Sequence, residues 1–528
     1  MTRLPGRLPG RLPGRTRDLE RDRPDPSHTA DVCIVGAGAA GILLAVELLR
    51  LGKRVTLLEG GGAEVEEPSQ EPYRSEVVGH RHSGVHTGRF RARGGTTHRW
   101  GGQILEFDAA DFERRPGVAG SGWPFAKSEL EPFYRRALAL EGIGGGLGDD
   151  AAVWQGIGRQ TPEFAGLEPY FSRWLPEPNF ARLHAETLEN HPALEVWLHA
   201  NAAELLLDSD KAVGVRCRTL GGVEATFTAA EYVFCMGAIE SSRFFLQPRD
   251  GALPWNRSGL LGLHYQDHID CNAAEIVPRD PARFHELFDN VFLHGLKYHP
   301  KLRLASHVQR ERGTLNVAAT MFFLSQTEET LARIKTTAKQ LLRGQLGEVK
   351  ARQLAHMAAN LPLLLRQSYR YGVQHRAFNP PDARIMLRVH CEQEPLSQSS
   401  VTLADSRDSL GMLRTRLDWR IADHELETIR TFVQVAAESL AGLAEVRPDP
   451  DLIAGNQAFL DRCDDSLHHM GGMRMAASAS EGVVDPNLRL HGMKNVFVCS
   501  AAVFPTSGYS NPTHTLLALA VRLARHLG

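Results

Sequence analysis

From residue 32 the chain reads Val-Cys-Ile-Val, then Gly-Ala-Gly-Ala-Ala-Gly, then an apolar-rich stretch to Leu51. A short unbroken apolar run predicts a strand buried on both faces, and the stretch from about Ala40 to Leu51 predicts a helix. Arg54-Val-Thr-Leu-Leu-Glu59 predicts the next strand. Further on, Val196–His199, Ala212–Cys217, Tyr232–Cys235, Arg384–His390 and Ser400–Leu403 alternate or run apolar as strands do, the last two as candidates for a second, antiparallel sheet. Thr513 opens a last apolar helix, with Asn511 and Pro512 as natural N-terminal residues. At the other end, Arg-Leu-Pro-Gly repeats three times from Arg3 to Gly14, and residues 1–28 are expected to be disordered. Residues 327–370 predict long helical stretches with Lys335, Lys339, Arg343 and Arg366 on one side and Leu361–Leu365 on another. They read as a lid with a solvated charged face, or as a surface that rests on a membrane.

The composition narrows the class. A 528-residue chain is long enough for two or three domains. Its 42% apolar and 23% charged residues are those of an ordinary globular protein, and a net charge of −2 gives no general reason to bind nucleic acid. Seven widely spread cysteines without a Cys-x-x-Cys pair argue against a metal site and against a disulfide framework. With no export signal and no apolar stretch of spanning length, a cytoplasmic location and no stable membrane insertion are expected.

The glycine turn carries the first chemistry. Gly36, Gly38 and Gly41 have the Gly-x-Gly-x-x-Gly spacing: a tight turn, close approach of backbone to a pyrophosphate, and close packing of helix on strand. The N-terminus of the following helix offers amides and a positive dipole end to phosphates. Glu59, about twenty residues on, suits ribose hydroxyls. These features point to a dinucleotide and do not separate FAD from NAD.

Three further segments resemble the glucose–methanol–choline (GMC) oxidoreductases, flavoproteins that oxidise alcohols. Arg93-Gly-Gly-Thr-Thr-His-Arg-Trp-Gly-Gly102 resembles the family's flavin-wrapping loop, which implies cofactor contacts from Gly94, Gly95, Thr96, Trp100 and Gly101. Gly237-Ala-Ile-Glu-Ser-Ser-Arg, leading to Ser258–Gly262 and Asp267-His268, resembles its second signature, with Gly237 at the cofactor. His468-His-Met-Gly-Gly-Met-Arg-Met475 and Asn511-Pro-Thr-His-Thr515 resemble the closing part of the flavin domain, adding Ser500, Ala501, Pro512 and Thr513. The resemblance implies an α/β fold: a doubly wound, Rossmann-type FAD-binding domain with an interleaved α+β substrate domain whose antiparallel sheet covers the flavin. The implied segments are 29–110, 190–270 and 464–528 for FAD, and 111–189 and 271–463 for the cap and substrate domain.

By the same resemblance the catalytic base is His468 and its partner Asn511. A neutral imidazole takes the hydroxyl proton near neutrality, and an amide holds the oxygen without competing for that proton. His469 is expected to pack or orient. Two departures stand out: Gly472 replaces the usual Thr after His-x-x-Gly, and Arg99 occupies the slot of the histidine that binds FAD covalently in some relatives, with His98 one position earlier. Non-covalent FAD is therefore expected. The implied activity is oxidation of an alcohol by hydride transfer to FAD, the leading substrate class being a secondary hydroxyl of a sugar, polyol or sugar-bearing natural product. A non-redox lyase of the cyanohydrin type, or a dehydrogenase subunit linked to a quinone or cytochrome, are the alternatives. The electron acceptor, oxygen or another, is left open.

Overall fold

The computed structural model describes residues 16–25, 27, 29–144, 149–251, 253–325, 359–380 and 383–528, with isolated positions between 334 and 355. Thr29–Val35 is buried along nearly all its length and sits at the centre of a parallel sheet. Val55–Leu58 flanks it on one side, followed by Leu194–Leu198 and Thr16–Asp18; the second half of Glu224–Phe234 flanks it on the other. Val496–Val498 adds a further parallel strand beside Glu224–Phe234. The first half of that long strand turns outward into an antiparallel extension with Lys211–Arg218 and Asn201–Asp208. The helices Ala39–Arg50 and Pro512–Leu527 pack on one another against this sheet, so the two ends of the chain share one core. The predicted strands at 32–35, 54–59, 196–199, 212–217 and 232–235 all fall within it.

Thr16–Asp18 departs from the expectation of disorder through residue 28. It forms a strand in parallel register with Val196–Leu198, and Leu19 behind it is fully buried. The Arg-Leu-Pro-Gly repeats themselves, and most of 327–358, lie outside the described residues.

The second sheet is antiparallel and runs Ala444–Pro448, Ile269–Pro278, Arg384–Cys391, Val317–Leu324, Leu296–Leu304, Leu167–Trp174 and Gln103–Ile104. Side chains alternate across it. One face presents Ile269, Cys271, Val389, Val317, Ala319 and Leu302 to the helix Asp423–Ser439, whose Ile429, Phe432 and Val433 complete an apolar core. The opposite face is polar. Ser400–Arg407, a candidate for this sheet, instead pairs with Leu413–Trp419, which in turn lies parallel to Ser75–Gly79. These pairings join strands from segments assigned to different domains at the sequence level, so the interleaving is finer than the boundaries 29–110, 111–189 and 271–463. Among the described residues no helix is long and apolar enough to cross a membrane.

Candidate active site

A single cavity runs from the glycine turn to His468. Its wall contains Gly36, Gly38, Glu59, Gly95, Thr96, Trp100, Gly237, Ser500, Ala501, Pro512 and Thr513, together with His468 and His469. Residues more than 450 positions apart in sequence thus share one wall, because the N- and C-terminal helices pack side by side. Gly41, Gly94 and Gly101, also expected at the cofactor, do not border the cavity. Gly41 supports the turn from behind: a Cβ there would sit 2.0 Å from the Gly36 carbonyl oxygen. Gly94 donates its N–H to the Ala37 carbonyl at 2.7 Å and so ties the flavin-type loop to that turn. Gly101 packs against the Trp174 ring.

The wall fits a dinucleotide on structural grounds. At Gly38 and Gly237, both helix N-caps without a side-chain cap, an added Cβ would meet no protein atom within 4 Å. The backbone there borders open space at a helix N-terminus, as a phosphate cradle requires. Glu59 accepts the N–H of Ala37 at 3.0 Å and that of Gly61 at 2.9 Å, leaving each carboxylate oxygen a further lone pair for ribose hydroxyls. Arg91 and Asn201, which the sequence reading missed, border the same end of the cavity and hydrogen-bond to each other. Pro512 and Thr513 bring the N-terminus of a 16-residue helix to the other end, where its dipole favours negative charge. Neither His98 nor Arg99 borders the cavity; the His98 Nε2–H donates to the Arg93 carbonyl at 2.9 Å.

His468 stands where the two sheets meet. Asp464 and Asp465 pair with Asp270 and Ile269, and Met470 exchanges backbone hydrogen bonds with Gln266. The segment between them therefore lies alongside Asp267 and His268. The Asp267 carboxylate, fully buried, accepts on Oδ1 the N–H groups of His268 at 2.7 Å, Ser466 at 3.2 Å and His468 at 3.0 Å. Leu467, between the last two, has φ +62°, a conformation that costs a non-glycine residue roughly 1–3 kcal/mol. The carboxylate clamp on both sides holds it there and aims His468 at the cavity.

A chain of hydrogen bonds then sets the protons. The Ser507 carbonyl can only accept, so His268 Nε2–H donates to it at 3.1 Å. In neutral His268 the other nitrogen, Nδ1, is an acceptor and takes the Nδ1–H of His468 at 2.9 Å. His468 Nε2 is left as the lone-pair nitrogen, and Asn511 Nδ2–H donates to it at 2.8 Å. Burial lowers both imidazoles, His468 well below the ordinary histidine value, with His268, His390 and Lys301 adding to the effect. Both rings are therefore neutral near pH 7. Asn511 occupies the N-cap position of the last helix, but its side chain makes no cap bond and serves His468 instead. An alcohol oxygen set between these two groups donates to Nε2 and accepts from Nδ2.

His469, expected to pack or orient, lies in a separate buried group with His82, Asp267 and Asp465, its Nε2 3.9 Å from Asp267 Oδ2. Asp465 is held there by the N–H groups of Ser83 and Gly84, and His82 by the Tyr265 hydroxyl. The absence of the usual threonine at Gly472 has a steric cause: φ is +95°, and a Cβ would come 2.3 Å from Ser242 Oγ.

Sequence and structure comparisons agree with this architecture. The FAD binding domain model matches residues 29–82, and the GMC oxidoreductase model matches residues 395–520. The chain is 22% identical to 2-methyl-1,2-propanediol dehydrogenase of Mycolicibacterium austroafricanum over 94% of its own length and 95% of that protein. It is 30% identical to C-glycoside 3-oxidase of Microbacterium trichothecenolyticum over 28% of each chain. Pyridoxine 4-oxidase from Mesorbium loti shares the fold with a TM-score of 0.57 at 18% identity, covering 94% of this chain and 99% of that one. The chain is similar along its length to the GMC oxidoreductases, FAD-dependent enzymes that oxidise alcohols.

Proposed function

We propose that this protein oxidises a secondary hydroxyl of a sugar, polyol or sugar-bearing natural product, with His468 as the base. The observation that carries this reading is the proton arrangement at His468, which lies on the wall of the nucleotide cavity with its Nε2 held unprotonated beside Asn511 Nδ2. Bound FAD would supply the two-electron acceptor for the hydride of the carbinol carbon. Gly36, Gly38, Glu59 and Gly237 would hold its nucleotide portion, and Gly95, Thr96, Pro512 and Thr513 its ring end. His468 Nε2 receives the hydroxyl proton, and Asn511 orients the oxygen.

The polar face of the antiparallel sheet supports a polyhydroxylated substrate. Tyr170 and Lys301 are buried on that face, the Tyr170 hydroxyl without a hydrogen-bond partner among the described residues, an expensive arrangement unless a polar ligand meets it. The names of the relatives, a diol dehydrogenase and a glycoside oxidase, fall in the same class. FAD is held without a covalent bond in this reading, since His98 is turned away to Arg93. A cytoplasmic location accords with seven buried cysteines that all remain thiols.

Anaerobic spectra of the flavin-loaded protein with a panel of sugars, polyols, glycosides and simple alcohols test the reading. Bleaching of the oxidised flavin band by polyhydroxylated members is expected. A flavin that stays oxidised with every member contradicts it.

A further inference from the structure

The polar face of the antiparallel sheet has one charge left over. Arg388 on this face is paired with Asp270, its Nε–H and Nη2–H along one guanidinium edge donating to the two carboxylate oxygens. Arg303, two residues from Lys301 along the same strand, is paired with Asp108 at 2.8 Å and Glu168 at 2.9 Å. Lys301 lies across the ladder from Tyr170, is only 8% exposed, and has no acid within 4 Å and no hydrogen-bond partner among the described residues. Its nearest carboxylate influence, Asp270, is committed to Arg388. Withdrawing an ammonium from water without an anion is costly, which makes an idle buried lysine a poor choice for structure alone.

The same face meets the loops that carry the catalytic pair: Arg303 Nη1–H donates to the Tyr509 hydroxyl at 3.3 Å, Tyr170 packs on the Tyr509 ring at 5.7 Å, and His390 Nδ1 lies 3.4 Å from Ser466 Oγ. Lys301 is two residues from His299 on its strand and shares a sheet face with His390, and its charge adds to the lowering of both and of His468 and His268. Burial lowers its own pKa to about 8, so it remains mostly charged at neutral pH. The imidazoles around it are held neutral. Among the described residues Lys301 is thus a cation of this face without a paired carboxylate.

We propose that Lys301 is an anion subsite that binds a carboxylate of the alcohol substrate, so that the preferred substrates are hydroxy acids of the sugar-acid class rather than neutral polyols. This rests on the reading of the site as an alcohol-oxidising centre. The Lys301 ammonium donates charge-assisted hydrogen bonds to the carboxylate while the reacting hydroxyl lies between His468 and Asn511. The chemistry of oxidation is unchanged; the carboxylate positions and is not consumed.

Matched pairs that differ in charge test this: D-gluconate against D-glucitol, D-galacturonate against D-galactose, and glycerate against glycerol. Each is followed in the FAD-loaded protein by anaerobic flavin reduction and by the perturbation of the oxidised flavin spectrum on binding. For at least one pair, the acid is expected to outperform its neutral partner roughly ten- to hundredfold in reduction rate over dissociation constant. Lys301→Met should remove that ratio, and Lys301→Arg should retain most of it. Equal or better performance of the neutral members, a ratio that survives in Lys301→Met, or acids that neither perturb nor reduce the flavin would overturn the subsite. If acids perturb the spectrum through Lys301 but no pair member reduces the flavin, the subsite stands and the alcohol-oxidation reading fails.

Discussion

His468 has both ring nitrogens engaged, one as donor to His268 and one as acceptor from Asn511, and its charge state follows from burial. Because the base must be unprotonated, activity is lost as pH falls through its pKa, and that pKa is pushed well below 6.5. The low-pH limb of kcat/KM for alcohol oxidation is therefore expected below pH 6.5; a limb centred above 6.5 contradicts the assignment. His268 positions His468 by fixing its tautomer. His268→Ala should lower kcat roughly ten- to hundredfold with KM little changed. His268→Gln should restore much of the loss, because Gln Oε1 can accept from His468 Nδ1–H while its Nε2–H donates to Ser507. Equal damage from both substitutions would mean that His268 only fills space. At this scale the motif around residue 468 was legible because its residues are contiguous. The role of His268, quoted in a motif without a task, was not: its coupling spans 200 residues and depends on strand register. Lys301 was hidden more completely, since a basic residue in an alternating strand reads as a solvent-facing position until the sheet's second face proves to be covered.

Local rules explain most elements. The turn and helix at 36–50 follow from glycine spacing, and the last helix starts at the Pro512 that its sequence favours. The assignment of Ser400–Arg407 to its sheet was not legible, because alternation specifies a strand and not its partner. Helix Ala238–Leu246 shows what fixes that partner. Its Arg243 is fully buried and donates to Glu240 at 2.9 Å, to the Leu413 carbonyl at 2.8 Å and to Asp408, pinning the three-stranded sheet to the nucleotide domain. Arg243→Ala leaves Asp408 buried without a counter-charge and is expected to cost about 3–5 kcal/mol in denaturant unfolding. A loss under about 0.5 kcal/mol would show the pair to be dispensable.

Across the whole molecule, the cofactor cavity is closed by chain ends that meet only in the finished fold. The N-terminal turn presents amides, the C-terminal helix presents its positive end, and the polar face of the antiparallel sheet meets the loops around His468. With FAD held without a covalent bond, as proposed, its retention depends on the fold. Acid precipitation should leave all the flavin in the supernatant, whereas a yellow pellet would show a covalent link. The general class was readable from the two ends of the sequence; the substrate end was not, because its surface is assembled from four strands between 167 and 391 whose shared face appears only once they are in register. The central claim is that His468 takes the alcohol's proton as FAD accepts its hydride. The most direct measurement is the anaerobic rate of flavin bleaching by the best alcohol in the wild-type protein and in His468→Ala, at equal FAD occupancy. The account predicts a fall of roughly 10²–10⁴-fold in the variant. Bleaching at the wild-type rate would contradict it.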